Sequence, residues 1–154
     1  MVQQPTDAAP GVRPTSGAHA QAVRLVCRRC GARLSAAVVE TDADVLVPQV
    51  QAGQPTVPTG RFAREPGAAG ERHATGRRVL ARDAEASSGG RLVLHPDDAC
   101  HVRPLGNDHG CCGSDGLDGP NRACARCGAV VGTARTDCWT PLEVRFLPRA
   151  VLLV

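Results

Sequence analysis

The stretch 122-RACARCGAVVGTARTDCWT-140 holds Cys124 and Cys127 two residues apart with Gly128 directly behind them, and 27-CRRCGA-32 agrees with 124-CARCGA-129 at five of six positions. Two cysteines at this spacing on a tight turn present both sulfurs to one cation, and the glycine that follows supplies the positive φ such a turn needs. One knuckle of this kind offers two ligands of a tetrahedral ion. Two knuckles complete a four-cysteine set, so Cys27, Cys30, Cys124 and Cys127 are the expected zinc ligands. Strand-like sequence surrounds each copy: "AVRLV" at 22–26 and "ARLSAAVVE" at 32–40 around the first, "AVVGTART" at 129–136 after the second. The expected arrangement is two copies of one hairpin joined through a metal.

Composition supports a stapled fold. Among 154 residues there is no Lys, Ile or Tyr, the aromatic share is 2%, and eight cysteines are present. Aromatic side chains supply a large part of most cores, so this chain leans on metal ions or disulfides for stability. Residues 1–20 are rich in Pro, Gly, Ala, Thr and Gln, which predicts a disordered tail and lacks the pattern of a secretory signal. No later segment approaches the roughly 18 apolar residues of a membrane span. A cytoplasmic location follows as the expectation, and in a reducing compartment cysteine pairs are metal ligands rather than disulfides. A redox C-x-x-C opens a helix, and Gly31 and Gly128 oppose that here.

The spacing between knuckles is unusual. Cys30 and Cys124 are separated by 93 residues, against roughly 15–20 in compact zinc ribbons. Loop-closure cost grows only logarithmically with length, so the pairing remains open to the chain. Residues 21–154 are expected to form one zinc-binding domain, all-β, with a mobile insert at about 63–90. "VLVPQV" and "PTVPTGRF", broken by Pro48, Pro55 and Pro58, suit edge strands or extended loops. "RLVLH" at 91–95 restarts ordered structure, "HPDD" is a turn in which Asp97 and Asp98 are capping residues and His95 is structural, and "NDHGCCGSDGLDGPN" at 107–121 is an ordered irregular loop. "AVVGTART" and "LEVRFL" are two strands with Thr140 and Pro141 at the corner.

Four cysteines remain. Cys111 and Cys112 are adjacent, but Gly110 and Gly113 free the backbone to turn one or both inward. With Cys138 and one of Cys100, His101 or His109 they make a possible second centre, and packing of small apolar thiols is the competing reading. A further arrangement sends Cys124, Cys127 and Cys138 to one ion with Cys111 or Cys112. The aspartates Asp108, Asp115 and Asp118 lack the alternating ligands of a calcium loop and are solvated turn residues.

"LVCRRCGARL" and "RACARCGAVV", separated by a long insert, resemble the β-tent architecture of Yippee-type zinc proteins and of methionine sulfoxide reductases of the B type. "LHPDD" and 110-GCCGSDGLDGPNRACARCGAVVGTARTDCW-139 resemble a group of cysteine-rich actinobacterial proteins without an assigned activity. The resemblance implies a two-knuckle zinc fold. It does not carry the reductase activity over, because the Arg-x-Cys-x-Asn catalytic setting is missing, and Trp139 alone cannot form the three-tryptophan cage of cereblon-like domains.

Three functions are compatible with these residues. The first is a small zinc protein with a structural ion held by four cysteines, acting as a binding or interaction module for a protein partner. The second is a thiol-dependent redox enzyme using Cys111, Cys112 and Cys138. The third is a nucleic-acid-binding zinc ribbon, since Arg24, Arg28, Arg29 and Arg33 surround one knuckle and Arg122, Arg126 and Arg135 the other. Against the third stand the net charge of only +3, the GC-driven use of Arg, and the scarcity of aromatics for base stacking.

Overall fold

The computed structural model describes residues 21–46, 51–66 and 90–154. The expected tail lies outside them. Of the expected insert, Ala63 and Arg64 belong to a strand and the Glu65 N–H donates to Arg91 O, closing the segment's base; residues 67–89 lie outside the described residues.

The described chain is all-β. Its nine strands are β1 (Leu25–Cys27), β2 (Val39–Thr41), β3 (Arg61–Arg64), β4 (Leu92–Leu94), β5 (Val102–Pro104), β6 (Arg122–Cys124), β7 (Val130–Arg135), β8 (Glu143–Phe146) and β9 (Val151–Leu153), with 3-10 turns at Ala43–Leu46 and Pro96–Asp98. No helix among the described residues is long and apolar enough to cross a membrane. Seven strands form one sheet in the order β2-β3-β4-β8-β7-β6-β5, and β1 pairs with β9 in a second. All neighbours are antiparallel except β2 and β3.

Period-two alternation explains how the large sheet is covered on both faces. Phe62, Leu92, Leu94, Val144 and Phe146 point into the main core, which Leu25, Leu34, Val38 and Val151 complete from the side of the small sheet. Ala63 and Val93 point the other way, against Val57. On β8 that opposite face is ionic: the buried Glu143 accepts from Thr56 Oγ1 at 2.8 Å and from Arg145 Nε at 2.7 Å, and Arg135 approaches at 3.5 Å. A buried carboxylate needs such partners to remain charged.

Several elements differ from the sequence expectation. The return after the first knuckle is broken into single bridges, Val26 to Arg33, Ser35 to Ala99 and Val38 to Val23, before β2 begins. Ser35 Oγ takes the Leu25 N–H at 2.8 Å, so a side chain replaces a ladder bond there. β3 is an interior strand, because Pro55 and Pro58 precede its hydrogen-bonded residues. The HPDD turn, by contrast, forms as expected: His95 caps Pro96–Asp98 by accepting the Asp97 N–H, and Asp98 accepts from Gly60 N–H at 2.7 Å. β5 and β9 have no counterpart in the expected strands.

One polar residue repairs an irregularity in the sheet. The β6–β7 register shifts between Arg122 and Ala123, and just before it Asn121, 1% exposed, accepts from Ala134 N–H at 2.7 Å and donates to Ala134 O at 3.0 Å. Asn121→Ala leaves both buried groups unsatisfied and is expected to cost about 2–4 kcal/mol. Arg64→Ala, which removes the exposed pair with Glu40 and a contact over the Phe62 ring at 5.7 Å, is expected to cost about 1 kcal/mol or less. Denaturant unfolding of the two variants side by side checks the contrast.

Candidate metal centres

The two knuckles have one geometry. In the first, Cys27 N–H donates to Ala32 O and Gly31 N–H to Cys27 O, both at 2.8 Å; in the second, Cys124 N–H donates to Ala129 O at 2.8 Å and Gly128 N–H to Cys124 O at 2.9 Å. Gly31 has φ 70° and Gly128 φ 73°. The repeat extends beyond the motif. β9 flanks β1 and places Ala150 O on Arg28 N–H, as β5 flanks β6 and His101 O meets Ala125 N–H. Each knuckle thus carries an outer strand that the sequence repeat does not announce.

These hairpins bring all four sulfurs of Cys27, Cys30, Cys124 and Cys127 within 4.8 Å of one another. Cys27 Sγ lies 3.7 Å from Cys127 Sγ, and Cys30 Sγ lies 3.7 Å from Cys124 Sγ. Metal–sulfur bonds of about 2.3 Å in a regular tetrahedron place sulfurs about 3.8 Å apart, so the thiols already stand at the spacing of ligands. Cys27 and Cys124 are buried; Cys30 and Cys127 are partly exposed. The Ala129 N–H on its sulfur, followed by the neighbouring thiols, holds Cys127 down at about 7. The matching bond from Ala32 also lowers Cys30, but burial and the three surrounding thiols outweigh it and push Cys30 up to about 11. Protons thus leave this cluster unequally unless a cation takes their place.

A second cluster joins Cys111, Cys112 and Cys138 to Asp137, again with one ligand atom from each within 4.8 Å. Both adjacent cysteines turn their sulfurs toward Asp137 while remaining exposed. Close packing at the flanking glycines permits this, since a Cβ at Gly110 would overlap Asp137 and Gly113 O, and one at Gly113 would overlap Thr136. Cys111 Sγ lies 3.3 Å from Cys138 Sγ, and the Cys138 N–H donates to Cys112 Sγ at 3.0 Å. Asp137 is 2% exposed. The Cys112 N–H bonds its Oδ2 and the Trp139 N–H its Oδ1, both at 3.0 Å. Those two amides hold its carboxyl down at about 2.

His109, Cys100 and His101, the expected fourth ligands, stand elsewhere. His109 Nε2 faces Asp118 at 3.6 Å on the surface. Cys100 and His101 both turn toward Arg33 O, with His101 Nδ1 at 3.1 Å. Cys124 and Cys127 join the first knuckle, so the arrangement pairing them with Cys138 is not formed. Asp137 escaped the sequence reading, although its place beside Cys138 was the available signal.

Gly31 and Gly128 separate the cost of the turn from the cost of crowding. No atom lies within 4 Å of a Cβ at Gly31, and only the flexible Arg103 side chain approaches one at Gly128, at 3.5 Å. Gly31→Ala and Gly128→Ala are each expected to cost about 1–2 kcal/mol through backbone conformation alone. Gly110→Ala is expected to disrupt the second cluster and leave the first intact, which thermal unfolding together with metal content will register.

Comparison of the chain with protein-family models, with curated proteins and with solved structures gives no match.

Proposed function

We propose that this is a small cytoplasmic zinc protein in which one ion, held by Cys27, Cys30, Cys124 and Cys127, joins two hairpins into a binding module. The observation that carries the reading is the pair of 3.7 Å sulfur separations across the two knuckles. A donor set of four thiolates favours soft or borderline ions, and tetrahedral sulfur ligation is the habit of structural zinc. All four ligand positions are filled by protein, which leaves no open position for a substrate and favours a structural role. A thiol-bound ion also fits a reducing compartment.

Protein purified without added metal is expected to contain at least one zinc per chain. Cys27→Ser or Cys124→Ser is expected to unfold it, because structural zinc contributes about 10–16 kcal/mol in small domains. A fully folded, metal-free preparation overturns the reading.

The partner has a second reading, a nucleic acid, and one observation favours it. A groove of about 410 Å³ beside the first knuckle is lined by Arg28, Arg29 and Arg149 with Ala129 and Ala150. Three phosphate contacts to a single strand give a log–log salt slope of about −2. Fluorescence anisotropy with a labelled oligonucleotide is expected to show that slope and a loss of binding in Arg28→Glu/Arg29→Glu. Binding that ignores salt and the double variant excludes this partner.

A further inference from the structure

We propose that Cys111, Cys112, Cys138 and Asp137 form a second zinc site, independent of the four-cysteine centre and exchangeable with solvent. The site has three soft donors and one hard donor converging from a loop and a strand-end corner. The thiol sulfurs lie 3.7–3.8 Å from the Asp137 carboxylate oxygens: Cys111 at 3.8 Å and Cys138 at 3.7 Å from Oδ1, Cys112 at 3.7 Å from Oδ2. Zinc bonded to sulfur at about 2.3 Å and to oxygen at about 2.1 Å sets such pairs roughly 3.6 Å apart. Little rearrangement is needed to close the shell.

The charge balance of the cluster points the same way. Asp137 is an almost fully buried carboxyl group, and no cationic side chain bonds it among the described contacts; only amides and thiols do. Buried charges are ordinarily paired or coordinate metals. Three thiol sulfurs crowd around the carboxyl group, those of Cys111 and Cys138 only 3.3 Å apart. A divalent ion at the centre satisfies carboxylate and thiolates together, releasing the thiol protons as it binds.

The surrounding loop buries no apolar side chain. From Arg103 to Pro120 the only buried residue is Ser114, so the loop bearing Cys111 and Cys112 is anchored by polar contacts such as Arg122 with Asp108 at 3.0 Å and Ser114 N–H with Thr136 Oγ1 at 3.1 Å. An ion shared with Asp137 and Cys138 fastens this loop to the corner after β7. Its three cysteines are exposed, whereas Cys27 and Cys124 in the first centre are buried. Chelators and zinc donors therefore reach the second ion first.

Native mass spectrometry of the full chain with excess zinc is expected to show two ions in the wild type and one in Cys138→Ser and in Cys112→Ser, whose side chains are exposed enough for the fold to survive. A chromogenic chelator is expected to take one equivalent quickly from the wild type and none in that phase from Cys138→Ser. X-ray absorption of the two-zinc form is expected to fit seven sulfurs and one oxygen shared between the ions. One zinc in the wild type, two zincs persisting in Cys138→Ser, or a Cys111–Cys138 disulfide in protein kept under reductant overturns the proposal.

Discussion

Four sulfurs from two turns, 94 and 100 positions apart in the cross-knuckle pairs, meet within 4.8 Å of one another, and the rest of the described chain is arranged so that they can. Bringing together segments about a hundred residues apart costs roughly 4–5 kcal/mol in chain entropy. A thiolate-bound zinc supplies about twice that or more, so one ion can support the long connection. Cys27 and Cys124 belong to the main core and the partly exposed Cys30 and Cys127 pack against it, which places that junction at the core's edge.

The core itself is modest. Phe62 and Phe146 are its only aromatic members, and Trp139 is 79% exposed. Compensation comes from using both faces of β3 and β4, and from hydrogen bonds that carry the structure where apolar contact fails: Asn121 across the register shift, Ser35 beside β1, and Glu143 between Thr56 and Arg145. Specific polar pairings of this kind fix register as apolar packing of small residues cannot.

The repeated C-x-R-C-G-A made the knuckles readable because their chemistry is local: spacing, glycine and flanking apolar residues all lie within ten positions. The all-β class and the strands around Val130–Arg135 and Glu143–Phe146 were readable for the same reason. What escaped depends on distant partners. Three residues such as Val102–Pro104 or Val151–Leu153 become strands only because β6 and β1 offer them an edge. Asp137 drew no attention in the sequence, and Gly110 leaves the room it occupies, since a Cβ there would overlap its carboxylate. His109 was a reasonable ligand by composition, but Asp118 holds it at the surface.

The pairing of β1 with β9 sets an order of events during synthesis. The first knuckle leaves the ribosome ahead of the strand that flanks it, from Val151 to Leu153, which emerges well over a hundred residues later. At about 5–20 residues per second this is a delay of roughly 6–25 s. Until Cys124 and Cys127 follow, Cys27 and Cys30 are only half of the four-cysteine cluster, and one side of their hairpin stays uncovered for longer still. During synthesis the first pair of thiols is thus open to competition from other cellular thiols, and the four-cysteine cluster closes only after its second half has emerged.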